Sequence, residues 1–397
     1  MTHKALRLKD RADRRLKAGH LWIYSNEVDT KATPLKGFET GELVAIENAA
    51  GKAIGTGYVN PNTLICARLV SRDAKYMLDK SLLVHRVKVA LSLRERLFDK
   101  PYYRLIFGDS DSLPGLVVDR FGDVLVVQIS TAGMEAVKDQ IVEALVQVLK
   151  PTGVLLKNDG TSRKLENLPE YIEVAHGEVA DEVELEENGV RFLAPVMKGQ
   201  KTGWFYDHRL NRDRLRHYVK GKRVLDVFSY VGGWGVQCAA FGAEEVICVD
   251  ASEKAVDLVH RNAELNGLQD KVGTMQGDAF EALKQLKAEG EQFDVIIVDP
   301  PAFIKRRKDV KAGELAYRRI NEMAMRLLGK DGILVACSCS MHLQRDSMLD
   351  ALRAGSRHIE RTLQIIEQGH QGPDHPILPA IPETEYIKAM TARITRV

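Results

Sequence analysis

The sequence lacks the features that mark membrane, secreted and zinc-binding proteins. No segment approaches the roughly 18–20 consecutive apolar residues of a membrane helix, which excludes a membrane-spanning protein. The start, MTHKALRLKDRADRRLKAGH, has no apolar core before a small-residue cleavage site, so no secretory signal is expected. Only five cysteines occur and none forms a Cys-x-x-Cys pair, which disfavours a disulfide framework and a structural zinc site. These absences predict a cytoplasmic protein without a metal.

The composition is that of an ordinary globular protein, but its charge is unevenly distributed. The 397 residues are 45% hydrophobic and 28% charged, enough for two or three domains. The formal net charge of +2 conceals three segments that each hold seven Lys or Arg against two acids, namely 1–25, 207–223 and 300–320. Residues 163–187 carry nine acids against two basic residues. The basic segments favour an RNA or DNA partner, and three separately solvated faces are the alternative.

Hydrophobic periodicity divides the chain into three predicted domains. Residues 1–73 contain short alternating runs such as ELVAIE, which indicate a small sheet or barrel. Residues 74–195 begin with a long helix over 74–100 and continue as a β-β-α-β-β unit. Residues 196–397 alternate apolar strands with helices, as a buried and largely parallel sheet requires. The predicted fold class is therefore α/β.

Four strand ends in the last domain carry residues suited to a ligand, because open α/β sheets bind ligands beyond the carboxyl ends of their strands. These ends hold a glycine loop around Gly232, then Asp250 with Ala251, Asp278 with Ala279, and Asp299. The loop lacks the G-x-G-x-x-G spacing, which disfavours a nicotinamide site. Asp250 is suited equally to accepting hydrogen bonds from a ribose and to capping the next helix.

The four strand ends, in this order, resemble the class I S-adenosylmethionine-dependent methyltransferases, whose sheet has seven strands with the last one antiparallel. A closer resemblance, over essentially the whole chain, is to the large-subunit ribosomal RNA methyltransferase I family. The motifs that carry it are Lys201-Thr202-Gly203-Trp204-Phe205-Tyr206-Asp207-His208-Arg209, Phe228-Ser229-Tyr230, Asn262 with Leu265-Asn266-Gly267-Leu268, Asp299-Pro300-Pro301 with Phe303, and Ser338-Cys339-Ser340.

This resemblance implies an N-terminal PUA pseudo-barrel, a middle β-β-α-β-β domain and a C-terminal Rossmann-like methyltransferase domain. It also implies S-adenosyl-L-methionine as cofactor and ribosomal RNA as partner. The residues that match the family's cofactor site are Phe205, Asp207, Arg209, Phe228, Ser229, Asp250 and Asp278.

Cytosine C5 is a poor nucleophile, so its methylation calls for a cysteine thiolate that adds to C6. Cys339, at the end of a predicted strand, matches the family's cysteine and is the candidate nucleophile. Cys337 points the same way from a deeper position and is interpreted as core, and the buried-thiol alternative stays open for Cys339 as well. Asp299 is expected to bind cytosine N3 or its amino group, and the Pro300 carbonyl to accept from N4.

Asp-Pro-Pro followed by an aromatic residue also resembles enzymes that methylate exocyclic amines without a cysteine. The motif has no cysteine of its own, so another group must assist product release. Ala302 stands where family members often carry lysine, which weakens the case for a contact there but not for the reaction type.

Two further features suggest RNA contacts. Trp22 and Tyr24 could stack on bases, although core packing is favoured for Trp22. The basic segment Lys305-Arg306-Arg307-Lys308 follows Asp-Pro-Pro and is expected to contact phosphates. The sequence as a whole predicts an RNA methyltransferase that makes 5-methylcytidine in 23S ribosomal RNA. An exocyclic-amine or guanine methyltransferase and a noncatalytic assembly factor are the rivals, and a homodimer is left open.

Overall fold

The computed structural model describes residues 3–396. Backbone contacts divide the chain into two compact units, which are discontinuous in sequence. The first unit comprises 1–183, 194–206 and 373–384, and the second comprises 184–193, 207–372 and 385–397. This division into two units does not test the three predicted domain ranges, which stay predictions.

The first unit opens with a small five-stranded sheet, as the alternating runs predict. Its elements are β1 (Ala5–Arg7), α1 (Asp13–Lys17), β2 (Trp22–Tyr24), β3 (Glu42–Glu47), β4 (Ala53–Val59) and β5 (Ile65–Ser71). The strand order is β1-β3-β4-β5-β2, with β1 parallel to β3 and the other pairs antiparallel. Val44 and Ile46 on alternate positions of β3 are fully buried, so the ELVAIE pattern places one strand face in the core.

A long helix and a second five-stranded sheet complete the first unit. Their elements are α2 (Lys80–Leu97), β6 (Tyr102–Phe107), β7 (Leu116–Phe121), β8 (Val124–Ile129), α3 (Ala132–Ala136), α4 (Lys138–Leu149), β9 (Gly153–Asn158) and β10 (Tyr171–Gly177). The strand order is β10-β9-β8-β7-β6. The long helix begins at Lys80 rather than at residue 74 because the carboxylate of Asp79 accepts the Leu82 N–H and caps it. Three strands, β6, β7 and β8, precede α3. The predicted middle domain therefore has one strand more than the β-β-α-β-β pattern.

The second unit is built on a seven-stranded sheet. Its elements are β11 (Val183–Glu187), β12 (Val190–Ala194), α5 (Arg209–Arg214), β13 (Arg223–Val227), α6 (Gly235–Ala240), β14 (Glu245–Asp250), α7 (Glu253–Leu265), β15 (Val272–Gln276), α8 (Ala279–Ala288), β16 (Phe293–Val298), α9 (Val310–Leu327), β17 (Leu328–Ser338), α10 (Arg345–His358), β18 (Thr362–Gly369) and β19 (Lys388–Thr395). The strand order is β15-β14-β13-β16-β17-β19-β18, and β11 pairs only with β12. Strands β13 to β17 are parallel, whereas β19 runs antiparallel to both of its neighbours.

This topology confirms the predicted class of fold. The apolar strands form a core with the inner faces of α8, α9 and α10. The five parallel strands all end at one edge, so the residues that follow β13, β14, β16 and β17 converge there. Over residues 3–396, the helices are too short or too polar for any of them to cross a membrane.

Candidate active site

The loop after β13 has an unusual backbone. Phe228 and Tyr230 have φ angles of +67° and +49°, a left-handed conformation that costs energy in residues other than glycine. Between them, the Ser229 N–H donates to the Val249 carbonyl at 2.9 Å, which fixes the loop over the sheet edge. The Ser229 hydroxyl is buried and has no hydrogen-bond partner among the described residues. Such a strained loop with an unsatisfied hydroxyl is suited to binding a ligand.

A buried carboxyl supports this loop from below. Asp226 is fully buried, and its Oδ2 accepts the Gly235 N–H at 2.8 Å. Burial, with a smaller contribution from the nearby Asp299 and Asp250 carboxylates, raises the pKa of Asp226 to about 7. A side chain at Gly235 would place its Cβ 2.4 Å from the Cys248 sulfur, so the close approach of α6 to β14 requires glycine.

The next two strand ends place the predicted acids at the same edge. The Asp250 carboxylate accepts the Tyr230 and Ser252 N–H groups, both at 2.9 Å, so it connects β14 to the loop after β13. Ser252, not Asp250, caps α7, so the alternative reading of Asp250 as the helix cap is wrong. Asp278 does cap a helix, since its Oδ1 accepts two N–H groups at the start of α8, where Ala279 is the first residue.

The predicted residues before β13 are split between the two units. Phe205 lies in the first unit, where the Lys201 ammonium is 5.0 Å from its ring centroid. Asp207 lies in the second unit, is buried, and accepts the Tyr386 hydroxyl at 2.7 Å. Their predicted cofactor contacts remain predictions.

Arg209 belongs to a buried ionic cluster that joins β11, α5 and α6. Glu187 accepts two hydrogen bonds from Arg212, at 2.6 and 3.1 Å, and one from Gln237 at 3.0 Å. The Arg209 guanidinium lies 3.5 Å from the same carboxylate. The cluster positions the segment before β13 against the helix that follows the glycine loop. Sequence reasoning counted Arg209 and Arg212 as parts of a surface charge segment, which the structure corrects.

Asp299 follows β16, and Trp234 and His208 lie beside its carboxylate. The Trp234 indole N–H donates to Oδ2 at 2.9 Å, and His208 Nε2 lies 3.5 Å from Oδ1. The Asn211 amide nitrogen lies 3.0 Å from the other ring nitrogen of His208, Nδ1. Sequence reasoning missed both Trp234 and His208. Pro300, which follows Asp299, is buried.

The thiol of Cys337 completes a small group with these residues. The ligand atoms of His208, Asp299 and Cys337 all lie within 4.8 Å of one another, which is the arrangement of a candidate metal site. Burial, together with the charge of Asp299, holds the pKa of the Cys337 thiol well above its usual value. A metal would have to displace this thiol proton in order to bind here.

Cys339 differs from the other cysteines in its exposure. Cys66, Cys238, Cys248 and Cys337 are buried, whereas Cys339 is partly exposed just beyond the end of β17. The hydroxyls on either side of Cys339 both face the Tyr317 hydroxyl, which lies 2.9 Å from Ser338 Oγ and 2.8 Å from Ser340 Oγ. Cys339 lies between these two serines in the chain, and the expectation that its side chain points away from theirs stays a prediction.

A buried lysine beside Cys339 was also missed. The Lys388 ammonium donates to the Ser340 carbonyl at 2.7 Å and to the Tyr386 carbonyl at 3.0 Å. A lysine within the apolar run YIKAM is the one sequence signal that could have identified it.

The residues proposed to contact RNA have different environments. The Trp22 indole N–H donates to Asp109 at 2.8 Å and the Arg15 guanidinium lies 4.8 Å from the Tyr24 ring centroid, so both aromatics have partners within the first unit. In the second unit, the side chains of 305–308 are all exposed.

Comparison with known proteins agrees with the family that the sequence resembles. Residues 164–389 match the family described as S-adenosylmethionine-dependent methyltransferase, and residues 6–72 match the PUA-like domain. The chain is 37% identical to the ribosomal RNA large subunit methyltransferase I of Shewanella frigidimarina (strain NCIMB 400), covering 98% of this chain and 99% of that protein. It is 36% identical to the protein of the same name from Aliivibrio fischeri (strain MJ11), covering 96% and 97%. The crystal structure of SMU.776 complexed with SAH shares the fold, with a TM-score of 0.84 at 22% identity over 98% of this chain and 100% of that chain.

Proposed function

Because the chain belongs to the S-adenosylmethionine-dependent methyltransferases and, within them, to the ribosomal RNA large subunit methyltransferase I family, we propose that it methylates C5 of a cytosine in 23S ribosomal RNA through Cys339. The observation that carries this proposal is the position of Cys339. It is the one cysteine of the five that is not buried, and it follows β17 at the sheet edge where Asp299 follows β16.

The residues at that edge fit the cofactor of this family. The loop that holds Phe228, with its strained backbone, and Gly232 also carries the unsatisfied Ser229 hydroxyl, which a polar ligand would satisfy. We propose that these residues hold the methionine part, that Asp250 with Ala251 holds the ribose, and that Asp278 with Ala279 holds the adenine. Within the second unit, Asp207 and Arg209 complete the proposed site and Asp299 borders it, and the cofactor contact of Phe205, which lies in the first unit, is proposed from the resemblance alone. Once bound, S-adenosyl-L-methionine supplies an electrophilic methyl group on a sulfonium.

Cys339 makes the pyrimidine reactive in this mechanism. Its thiolate adds to cytosine C6, and the electron pair of the C5–C6 double bond becomes available at C5. C5 then takes the methyl group, a base removes the C5 proton, and the thiolate leaves as the double bond forms again. The protein also has to hold C5 and the methyl group in line.

Asp299 and Pro300 are proposed to orient the base. The carboxylate of Asp299, which accepts from Trp234 and is faced by His208, would accept a hydrogen bond from the cytosine amino group, or from N3 when N3 is protonated. The Pro300 carbonyl would accept a hydrogen bond from N4. A cytosine must leave its stack to reach such a site, as in other enzymes that act on bases.

The RNA partner is supported by the names of the relatives and by the PUA-like domain over residues 6–72. The exposed side chains of 305–308, which follow the Asp-Pro-Pro motif, are proposed to contact backbone phosphates. An enzyme acting on ribosomal RNA is expected to work where ribosomes are assembled, which in a bacterium is the cytoplasm.

A pair of cysteine variants tests this function. Cys339→Ala should abolish 5-methylcytidine, measured by mass spectrometry of nucleosides from 23S RNA incubated with the protein and cofactor. Calorimetry should show that the variant still binds S-adenosyl-L-methionine. Cys337→Ala, two residues earlier on the same strand, is the control and should retain the activity.

Other outcomes would support the rival functions. If Cys339→Ala still methylates RNA, the C5 mechanism is wrong, and a methylated exocyclic amine or guanine among the nucleosides would identify the alternative. If the unaltered protein binds no S-adenosyl-L-methionine, it acts as a noncatalytic RNA-binding factor.

A further inference from the structure

Three side chains of the second unit bring metal-ligating atoms together at the edge of the sheet. Strands β16 and β17 are parallel and pair Val298 with Ala336, so the residues that follow these two, Asp299 and Cys337, lie side by side. The segment before α5 adds His208 to them. One ligand atom from each of His208, Asp299 and Cys337 lies within 4.8 Å of the other two. The three residues are far apart in the chain, so no local motif in the sequence predicts the group.

The imidazole of His208 offers a ligand atom that no hydrogen bond uses. His208 is 3% exposed, and its Nε2 makes no hydrogen bond with any residue of 3–396, although it lies 3.5 Å from Asp299 Oδ1. A buried polar nitrogen without a hydrogen bond is uncommon in a folded protein, because it loses its contact with water and gains nothing in return. A metal ion between this nitrogen and the carboxylate would satisfy both groups.

The three donors suit zinc better than magnesium or calcium. Mg²⁺ and Ca²⁺ prefer oxygen ligands, whereas Zn²⁺ binds thiolate, imidazole and carboxylate groups. On binding, the S–H bond of Cys337 breaks, a metal–sulfur bond forms and the proton leaves to solvent. One thiolate and one carboxylate then balance the two positive charges of the ion. This balance matters because His208 and Cys337 are almost completely buried, and an unbalanced charge is costly to bury.

The ligand atoms have to move only a little to surround the ion. Zinc bonds of about 2.0–2.3 Å place the ligand atoms of a tetrahedral site about 3.3–3.8 Å apart. His208 Nε2 and Asp299 Oδ1 already have such a separation. Because no two of the three ligand atoms are farther apart than 4.8 Å, the Cys337 sulfur has to approach the others by at most about 1 Å. The Asp299 side chain is 21% exposed and provides the path of entry from solvent.

Two neighbouring side chains would support the ligands. The Trp234 indole N–H donates to Asp299 Oδ2 at 2.9 Å, which leaves Oδ1 for the ion. The Asn211 side-chain amide lies 3.0 Å from His208 Nδ1. A ring that binds metal through Nε2 carries its proton on Nδ1, so this amide has to turn its oxygen toward the ring. The turn costs the hydrogen bond that the amide donates to the His370 carbonyl.

We propose that His208, Asp299 and Cys337 form a zinc site and that zinc bound there inhibits the enzyme. Three protein ligands leave the fourth position of a tetrahedral ion to water. The ion would take one oxygen of the carboxylate that is proposed to accept from the cytosine amino group, while Trp234 holds the other oxygen. Zinc is therefore expected to lower methylation. The zinc site stands independently of the proposed function, whereas the inhibition rests on it.

Cobalt(II) makes the site measurable, because a thiolate bound to this ion gives a charge-transfer absorption band in the near ultraviolet. The full-length protein, freed of metal with EDTA, would be titrated with Co²⁺ and then with Zn²⁺. One equivalent of Co²⁺ should produce the sulfur band, and Zn²⁺ should remove it. Cys337→Ser should abolish the band, and His208→Gln should weaken Co²⁺ binding at least about tenfold. Cys339→Ala, which alters the partly exposed thiol two residues later, is the matched control and should keep the band.

Three results would overturn the zinc site. These are an unaltered protein that gives no sulfur band, a band that persists in Cys337→Ser, and a band that disappears in Cys339→Ala. The first of them requires no variant, so the proposal stays testable if Cys337→Ser does not fold.

Inhibition is measured separately. Zn²⁺ should lower the methylation of 23S RNA by the unaltered protein, and EDTA should restore it. A protein that binds zinc through Cys337 and His208 but methylates at an unchanged rate would refute the inhibition alone. A Cys339→Ala variant that still makes 5-methylcytidine would instead refute the proposed function, whatever the cobalt spectra show.

Discussion

Replacing Glu187 by glutamine should destabilise the second unit far more than the same change at Glu184, three residues earlier on β11. Both glutamates pair with an arginine through two hydrogen bonds, at 2.6 and 3.1 Å for Glu187 and at 2.6 and 2.8 Å for Glu184. Their exposure differs, since the side chains of Glu187 and Arg212 are 0% and 4% exposed, whereas those of Glu184 and Arg191 are 45% and 51% exposed. The comparison therefore sets a buried cluster, in which Glu187 also faces Arg209 and Gln237, against an exposed pair of similar hydrogen-bond geometry.

The magnitude follows from what the glutamine leaves behind. Glu187→Gln removes the one negative charge between Arg212 and Arg209, and breaking a buried pair in this way costs about 3–5 kcal/mol. Exposed pairs such as Glu184 with Arg191 contribute about 0.2–1 kcal/mol. For a unit of about 190 residues, 1 kcal/mol shifts the melting temperature by about 2–4 °C. The expected losses are thus about 6–20 °C for Glu187→Gln and under about 4 °C for Glu184→Gln.

The pH dependence gives a second check with a defined sign. Burial alone would raise the pKa of Glu187, but the charges of Arg212 and Arg209 outweigh it and the pKa lies below the ordinary 4.5. The stabilisation is therefore fully present above pH 4.5 and is lost as the pH falls through the lower folded value. Thermal unfolding followed by circular dichroism at pH 7.5 and at pH 3.5 should show the gap between the unaltered protein and Glu187→Gln narrowing at the lower pH. Equal losses for the two variants at pH 7.5 would refute the reasoning.

Two further predictions concern the support of the glycine loop. Because burial raises the pKa of Asp226 to about 7, its contribution to stability is present below the unfolded pKa of 3.8 and is lost as the pH rises through 7. The difference in melting temperature between Asp226→Asn and the unaltered protein should therefore shift in favour of the variant as the pH rises from 5 to 8. A difference that stays constant over this range would contradict the prediction. Gly235→Ala should lose about 1–3 kcal/mol in urea unfolding, because its Cβ would lie 2.4 Å from the Cys248 sulfur. Gly277→Ala, whose Cβ would meet nothing within 4 Å, is the control and should change little, so equal effects would show that the contact at Gly235 relaxes freely.

The sheet of the second unit was predictable because its signals are local. Strands β13, β14 and β16 are nearly continuous apolar runs that end in polar or glycine residues, and each end therefore predicted a site residue such as Asp250 or Asp299. The tertiary contacts of Lys388 and Tyr317 were not predictable from such local signals. Lys388 reaches Ser340 because β19 pairs with β17 across about 50 residues of chain, and no local pattern encodes that register.

The charge of a segment, counted along the sequence, likewise does not show which of its residues form ion pairs in the folded protein. Segment 207–223 has a net charge of +5 in the sequence, but Arg209 and Arg212 are buried around Glu187, and Arg223 pairs with Glu245 and Glu291. The acidic segment behaves likewise, since Glu166 is buried against Arg68. Charges used in such pairs release few counterions from a nucleic acid, because their own field is already cancelled. The segment 305–308, which follows the Asp-Pro-Pro motif, differs because all four of its residues are exposed and the Arg306 pair with Asp309 lies at the surface. The salt dependence of RNA binding should therefore depend far more on these four residues than on the more numerous basic residues of 207–223.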